Sequence, residues 1–218
     1  MTGILKNTEL FAGIEPDDIE GMLGCLNARR KAFGKGEFLL LAGDPVTDVG
    51  ILLSGEAHII KENINGEVLM LRRLLPGAMF GESYAGTRCG SSPVSVVAQT
   101  GAQAVFLDMG GILGSCRSAC PRHSQLIFNM VKIVSAHNIA LNNRMFYLAY
   151  KTIRERLGAY LLDLAEQNGS RVFRLPMSKT QLARHLCADR SAMMRELSRM
   201  KADGLIDYEK DRFRVVSL

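Results

Sequence analysis

The sequence contains no tryptophan, and aromatic residues make up only 6% of its 218 positions. A row of exposed rings for stacking bases or sugars is therefore not expected. No apolar run approaches the ~18–20 residues that span a bilayer, so no membrane association is expected. The first residues carry Lys6 and Glu9 without an apolar h-region, which predicts that no signal peptide is present.

Paired cysteines are missing as well. The chain has five cysteines, an odd number, and no two of them are spaced as CxxC. Reduced thiols of this kind are typical of a cytoplasmic protein. The hydrophobic fraction of 47% and the charged fraction of 22% exclude a disordered or collagen-like chain.

Glycine and charge are distributed unevenly along the chain. Eighteen of the 21 glycines fall in residues 1–114, and residues 1–110 hold 9 Lys+Arg against 13 Asp+Glu. Residues 111–218 hold 18 Lys+Arg against 9 Asp+Glu, a net charge of +9. This division predicts two domains, of which the second binds a polyanion; a solvated basic surface is the alternative.

Short apolar runs of strand length follow from Arg29 onwards, separated by glycine and turn residues. The runs are Phe38–Leu41, Val49–Leu53, Ala57–Ile60, Val68–Leu71 and Val94–Ala98. Asn65-Gly66 predicts a hairpin with a type I′ turn, because both central residues of that turn need positive φ. The regular turn signals indicate a small β-barrel in residues 1–122.

A long helix is predicted at residues 123–150, because neither glycine nor proline occurs between Pro121 and Gly158. Its mostly apolar residues recur at three- and four-residue steps: Ile127, Met130, Val134, His137, Leu141, Met145 and Leu148, widened by Ile133, Ile139 and Ala140. About 25 helical residues would extend roughly 37 Å, more than packing on one domain requires. We therefore expect a dimer contact through Ile127, Val134, Leu141 and Leu148. The alternative is a helix packed only on its own barrel.

Residues 151–218 have the pattern of a winged helix. A helix from Thr152 to Gln167 and a short strand at 171–175 precede two shorter helices. Ser178 is the expected N-cap of Lys179–Leu186, Asp189 caps Arg190–Lys201, and a hairpin around Lys210-Asp211 follows. The two shorter helices have the helix-turn-helix layout.

The apolar pattern fixes which side of the second short helix is exposed. Leu182, Ala183 and Leu186 should face Met193, Leu197 and Met200, which leaves Arg190, Ser191, Met194, Arg195 and Ser198 open. Two arginines there suit a major groove, because Arg can bond guanine O6 and N7 with both arms. The predicted DNA-binding residues are Ser178, Lys179, Thr180, Arg190, Ser191 and Arg195. A helical hairpin with solvated arginines is the alternative, and the trailing hairpin disfavours it.

With these residues in view, the chain resembles the Crp/Fnr superfamily of bacterial transcription regulators over nearly its whole length. The resemblance is carried by Lys35-Gly36-Glu37, Ala42-Gly43-Asp44, residues 50–55, Pro76-Gly77, Phe80-Gly81-Glu82, residues 153–157, Leu182-Ala183, Asp189-Arg190-Ser191 and Gly204-Leu205-Ile206. It implies an α+β fold with an effector-sensing double-stranded β-helix (a jelly-roll-like β-roll) at 1–122, a dimerisation helix at 123–150 and a winged helix-turn-helix at 151–218. It also implies a homodimer on a palindromic operator, controlled by a small effector, with RNA polymerase as a further partner.

The implied effector pocket consists of Phe80, Gly81, Glu82, Ser83 and Ser92. In cAMP-binding members of the superfamily, an Arg-Ser or Arg-Thr pair follows Phe-Gly-Glu, whereas here Ser92 and Pro93 stand at those positions. A buried cyclic phosphate needs a cation to offset its desolvation. The sequence therefore predicts an effector other than cAMP and leaves the cofactor unknown. In the DNA-reading helix, Ser191 replaces the usual acidic residue, so operator preference should differ.

Other sensing chemistries remain open in the sequence. The oxygen-sensing branch holds an iron–sulfur cluster on N-terminal cysteines, of which this chain has only Cys25, and four thiolates are normally required. Cys116, Cys120 and His123 have spacings that place them on one helical face, where they could hold a haem or a metal. The alternative, which we favour, is two core cysteines and a helix-start histidine.

Two other function classes are weighed against a regulator. A cupin-like metal enzyme with a helical tail is disfavoured, because the barrel region holds only His58 and no clustered ligand triad. A nucleotide-binding regulatory subunit would not need the winged helix. We therefore expect a protein that is not an enzyme and has no metal site.

Overall fold

The computed structural model describes residues 2–87, 91–114 and 121–218. It divides into two compact units, residues 1–136 and residues 137–218. The division into 1–122, 123–150 and 151–218 stays a prediction. In the described residues, no helix is long and apolar enough to cross a membrane.

The first unit combines short helices with strands of two to seven residues in antiparallel pairs. The helices are α1 (Thr2–Leu5), a 3-10 helix (Glu9–Phe11), α2 (Pro16–Cys25), α3 (Glu82–Ala85) and α4 (Met109–Leu113). The strands are β1 (Arg29–Phe33), β2 (Phe38–Leu40), β3 (Asp48–Ser54), β4 (Ala57–Glu62), β5 (Val68–Leu74), β6 (Met79–Phe80), β7 (Ser95–Ala98) and β8 (Ala102–Asp108). One sheet has the order β1-β8-β3-β6 and the other β2-β7-β4-β5.

The side chains of β8 point alternately to the two faces of the first sheet, and each face packs on a different core. Val105 and Leu107 lie in a core shared with α1, α2 and the long helix. Ala102 and Ala104 point the other way, into a core between the two sheets, and Phe106 packs against it. This period of two is what a strand buried on both sides requires. The two facing sheets confirm the predicted antiparallel β-roll.

The hairpin predicted at Asn65-Gly66 is present, but its turn is different. Gly66 has a φ of +77°, whereas Asn65 is not among the residues with positive φ. The amide of Asn63 donates to the carbonyl of Glu67 at 3.0 Å, and the Asn63 carboxamide accepts from Asn65 and Glu67. The type I′ prediction is therefore wrong. The Asn63 side chain orders a longer loop in which only Gly66 is left-handed.

The long helix α5 extends over Pro121–Ala149, which is 29 residues. Leu126, Met130 and Ile133 are buried in the core of the first unit. Asn129 Nδ2 donates to the carbonyls of Leu10 and Ala12 at 2.9 and 2.8 Å. Part of the predicted apolar stripe, Met130 and Ile133, therefore covers the β-roll, whereas the dimer contact predicted through Ile127, Val134, Leu141 and Leu148 stays a prediction.

The second unit has the predicted winged-helix elements. They are α6 (Ile153–Gln167), β9 (Val172–Arg174), α7 (Lys179–His185), α8 (Arg190–Ala202), β10 (Ile206–Glu209) and β11 (Arg212–Val215). The strands form an antiparallel sheet of order β10-β11-β9. Lys210 has a φ of +54° in the tight turn between β10 and β11. The α+β fold, with a β-roll, a long helix and a helix-turn-helix, is confirmed.

Candidate nucleic-acid interface and effector cavity

The start of each helix in the second unit is fixed by its own side chains. Ser178 Oγ accepts from the Gln181 amide at 3.2 Å, and Gln181 Oε1 accepts from the Ser178 amide at 2.9 Å. Asp189 Oδ1 accepts from the Ala192 amide at 2.8 Å. These caps satisfy amides that have no partner within the helix, so they set where α7 and α8 begin.

The turn between α7 and α8 is held from outside by two arginines. Arg156 donates to the carbonyls of Tyr150 and Leu186 at 3.0 and 3.1 Å. Arg144 Nε donates to the carbonyl of His185 at 3.1 Å. Carbonyls at the end of α7 lack partners in the helix and favour cations. The sequence alone predicts no role for these arginines, because their partners lie too far along the chain for spacing to show them.

A third arginine joins α6 to α8. Arg154 Nε donates to Glu196 at 2.7 Å, and its guanidinium also pairs with Asp203. These hydrogen bonds, first to Asp203 and then to Glu196, raise the pKa of Arg154. Glu196 also accepts from Arg199 at 3.3 Å. The charge network therefore orients α8 on its supporting helix.

The outer face of α8 carries arginines of a different kind. Arg190, Ser191 and Arg195 are exposed. Among the residues that the structure describes, neither Arg190 nor Arg195 forms an ion pair, in contrast to Arg199 on the same helix. An exposed guanidinium without an internal carboxylate is available for an anionic or base-edge acceptor.

One residue predicted on this outer face lies elsewhere. Met194 is half-buried and packs against the core of the second unit. Ser198 is exposed, and its hydroxyl donates to the Met194 carbonyl at 3.1 Å. The fully open position predicted for Met194 is therefore wrong, because its side chain packs partly against the core that contains Met193 and Leu197. The predicted packing of α7 on α8 is confirmed.

Lys179 and the β10–β11 hairpin, the wing, lie together. Lys179 Nζ is 4.3 Å from the ring centroid of Tyr208 and 5.9 Å from that of Phe213. The two rings are stacked with centroids 5.0 Å apart. The contact places a cation at the first turn of α7. Ser178 and Thr180 are exposed beside it.

The predicted effector residues do not all share one environment. Phe80 is buried between the sheets, and a Cβ on Gly50 would lie only 2.1 Å from its ring, so Gly50 leaves room for it. Glu82 is buried, and Ser83 is exposed. Ser92 is 1% exposed. Its hydroxyl donates to the Val94 carbonyl at 2.7 Å and accepts from the Val94 amide at 3.2 Å.

A cavity of about 450 Å³ opens at the side of the β-roll. Phe80 and Gly81 line it, whereas Glu82, Ser83 and Ser92 do not. The other lining residues are Arg29, Lys31, Phe33, Phe38–Leu41, Asp44–Asp48 and Phe106. Arg29 pairs with Asp48, and Lys31 Nζ lies 5.8 Å from the Phe106 centroid. Its walls are therefore aromatic, with charges of both signs.

The proposed haem or redox site is only partly within the described residues. Cys116 and Cys120 lie outside them. His123 is buried, and its Nε2 is 3.2 Å from the Ile112 carbonyl oxygen. The described residues contain no group of three His, Cys, Asp or Glu side chains arranged for a metal. The hydrogen bond gives His123 a structural role in the core.

Known protein families match the two parts of the chain separately. Residues 30–118 match the profile of the cyclic nucleotide-binding domain, and residues 155–218 match that of the Crp-like helix-turn-helix domain. The second match begins within α6 and includes α7, α8 and the wing.

Two relatives and one solved structure are similar to this chain over most of its length. The transcriptional activator protein FnrA of Stutzerimonas stutzeri is 24% identical over 193 residues, which is 86% of this chain and 77% of FnrA. A CRP-like cAMP-activated global transcriptional regulator of Mycobacterium tuberculosis is 24% identical over 170 residues, 78% of this chain and 73% of that protein. The catabolite activator protein of Thermus thermophilus has a TM-score of 0.57 at 20% identity, over 96% of this chain and 94% of that one. The last comparison shows the shared fold.

Proposed function

The chain belongs to the Crp/Fnr superfamily of transcription regulators, and from this premise we propose that it acts as a homodimer on a palindromic operator under the control of a small effector other than cAMP. The observation that carries the proposal is the exposed face of α8, where Arg190 and Arg195 form no ion pair with any residue that the structure describes. The superfamily's members act on DNA, and RNA polymerase is the further partner we propose. Because its target is DNA, we propose that the protein acts in the cytoplasm.

Arginine and lysine side chains would have different roles in DNA binding. Arg190 and Arg195 project from the start of α8, the part of a recognition helix that contacts base edges in the major groove. Lys179 lies over the wing and would meet the phosphate backbone, where a cation contributes affinity without sequence preference. Ser178, Thr180 and Ser191 supply short polar side chains at the helix starts. In this proposal Arg190 and Arg195 recognise the base sequence, and Lys179 positions the protein on the DNA backbone.

The homodimer would be formed by α5. Val134 and Leu141 are exposed large apolar residues of this helix, 44% and 60% accessible. Burying such surface against a second copy removes it from water. Two winged helices related by a two-fold axis would bind two half-sites about 34–36 Å apart.

An effector other than cAMP is supported by the environment of Ser92. Its hydroxyl already bonds the backbone of Val94, and Pro93 has no amide proton to donate. The cavity lined by Phe33, Phe38 and Phe106 offers aromatic walls instead. The mycobacterial relative's name states that it is cAMP-activated, and that property is not carried over to this chain. A cupin-like enzyme is not favoured by the relatives, which are named as regulators.

Selection from random DNA tests the proposal directly. The purified protein should enrich a palindrome whose half-sites are one helical turn apart, and footprinting should show both halves protected. Because no effector is known, the selection should also be run on protein purified anaerobically, with native mass spectrometry to identify any bound molecule. Recovery of unrelated sequences from every pool, bound no more tightly than random DNA, would contradict sequence-specific regulation.

A further inference from the structure

One face of α5 carries an uninterrupted heptad pattern. Steps of four and three residues alternate from Ile127 to Leu148. The positions, which we call the seam, are Ile127, Val131, Val134, Asn138, Leu141, Met145 and Leu148. Val131, Leu141 and Met145 are 56%, 60% and 69% exposed. This is the spacing at which two helices supercoil around each other.

The seam is distinct from the face of α5 that covers the β-roll. Leu126, Met130 and Ile133 are buried in the core of the first unit. Val131 and Val134, one or a few positions away, remain exposed. Because 3.6 residues form one turn, these two sets point in different directions. The chain's own core therefore does not account for the seam.

Asn138 is the one polar residue in the seam, and it lies at its middle. In heptad terms, Val131, Asn138 and Met145 occupy position a, and the intervening apolar residues occupy position d. Asparagine at a single a position specifies register and oligomeric state, at a cost in stability. The cost arises because a carboxamide buried against apolar side chains loses its hydrogen bonds to water.

Only one arrangement of two helices lets Asn138 meet its own copy. In a parallel pair in register, position a faces position a, so the two Asn138 carboxamides can donate to and accept from each other. In an antiparallel pair, positions a face positions d, which puts Asn138 against Val134 or Leu141. A parallel pair shifted by one heptad puts it against Val131 or Met145. Each of these alternatives buries the amide unsatisfied.

The local hydrogen bonding of Asn138 leaves it able to pair. Its Oδ1 accepts from Asn142 Nδ2 at 3.4 Å on the exposed surface. A carboxamide oxygen has a second lone pair, and the Asn138 amide has two N–H donors. Asn142 thus orients the carboxamide and does not use up its bonding capacity.

We propose that the Asn138 carboxamide pairs with the partner's Asn138 and thereby fixes the register of the two α5 helices in the homodimer. This inference rests on the homodimer proposed above and adds a residue that specifies it. Parallel pairing also sends both chains into their winged helices from the same end of the seam, as two neighbouring half-sites require.

A charge-swap experiment on the full-length chain tests the pairing. Asn138→Asp and Asn138→Lys should each weaken the homodimer, because two like charges would be buried against each other. Mixed together, with one variant carrying a mass tag, they should form heterodimers, measured by native mass spectrometry. We expect an excess over the statistical mixture of about tenfold or more, since opposite charges meet only if residue 138 faces residue 138.

The matched control is the same pair of substitutions at Asn142. Asn142 lies one turn further along, at position e, which faces position g of the other helix and not its own copy. Asn142→Asp mixed with Asn142→Lys should give the statistical mixture. An excess of heterodimer at both positions would contradict the proposal, because it would reflect general charge attraction.

Other results separate this inference from the homodimer itself. Statistical mixing of the Asn138 variants, with the wild-type chain dimeric, would overturn the pairing of Asn138 and leave the homodimer standing. A monomeric wild-type chain would overturn both. Asn138→Val should tighten association and allow antiparallel or higher-order species. If Asn138→Val stays a single parallel dimer in the same register, Asn138 is not the determinant.

Discussion

The rings of Tyr160 and His185 have their centroids 5.5 Å apart, which places an imidazole among aromatic side chains at the end of α7. Tyr147 lies 6.1 Å from the same imidazole. Burial, and then the charge of Arg144, lower the pKa of His185 below its ordinary value of 6.5. Burial also raises the pKa of Tyr160 to about 12, so that ring stays neutral.

The first prediction follows from the sign of the His185 shift. The unfolded chain binds a proton near pH 6.5, whereas the folded chain resists it, so acid favours unfolding. The free energy of unfolding of the second unit (residues 137–218) should therefore be highest above about pH 6.5, and it should decrease as the pH falls below that value. Denaturant unfolding at about pH 7.5 and about pH 5.5 measures the change. His185→Gln should flatten that part of the profile.

His58→Gln is the control for this measurement. His58 lies in the first unit, where its Nε2 is 3.0 Å from Glu56 Oε1. The substitution should leave the pH dependence of unfolding of the second unit unchanged. If His185→Gln retains the full pH dependence, other groups cause it.

The second prediction concerns base reading by Arg195. Arg195→Ala should cost about 1–3 kcal/mol at the selected operator and relax preference at one base pair. Lys179→Ala should weaken binding to all sequences alike and make the salt dependence less steep, because a phosphate contact is lost. Gel shifts on operator and random DNA over a range of salt concentrations measure both effects.

Arg199→Ala is the matched control on the same helix. Arg199 is exposed but pairs with Glu196, so it is not free to contact DNA in the same way. It should leave sequence preference intact. Equal losses on operator and random DNA for Arg195→Ala would contradict its assignment as a base-reading residue.

The winged helix could be predicted closely because its signals are local. Thr152 and Glu155 form a capping box, in which the Thr152 hydroxyl accepts from the Glu155 amide at 3.2 Å and the Glu155 carboxylate accepts from the Thr152 amide at 2.9 Å. Ser178 and Asp189 cap the next two helices in the same way. Residues three apart decide where each helix begins, so the sequence alone is sufficient.

The parts that could not be predicted depend on distant partners. β1 (Arg29–Phe33) consists largely of charged residues, and it becomes a strand because it pairs with β8, about 70 positions later in the chain. On α5, Met130 and Val131 are adjacent and both apolar, and only the packed structure shows that Met130 is buried. The partners of Arg154 and Arg156 are likewise set by the crossing of the helices. Spacing along one helix carries no information about such contacts.

The third prediction concerns the dimer contact. Val134→Asp combined with Leu141→Asp would place charges in a dry interface, where each loses its hydration. Both side chains are exposed within one chain, so the folded monomer should tolerate the change. Sedimentation should then show monomers with an unchanged circular dichroism spectrum and no binding to a two-half-site operator. A variant that stays dimeric would place the interface elsewhere.

The last prediction concerns cyclic nucleotides. The sequence implies a pocket for them, but Glu82 and Ser92 provide no positively charged donor for the phosphate. A cyclic phosphate keeps its negative charge at neutral pH and must be met by charged donors when buried. Glu82 suits a ribose hydroxyl, but its charge would repel a phosphate. Ser92 has its hydroxyl engaged with Val94, and Arg88, which lies nearby in sequence, is outside the described residues.

We therefore expect no binding of cAMP or cGMP at micromolar concentration. A missing arginine fork removes two charged hydrogen bonds of roughly 1.5–3 kcal/mol each, which lowers affinity on the order of a hundredfold or more. Isothermal calorimetry on the full-length chain should give no heat of binding, and neither nucleotide should increase operator affinity in gel shifts. The cAMP-activated relative from Mycobacterium tuberculosis is the positive control for the nucleotide preparation. Micromolar binding by either nucleotide would contradict this prediction, and loss of that binding in Arg88→Ala would identify Arg88 as the cation that takes the place of the missing arginine.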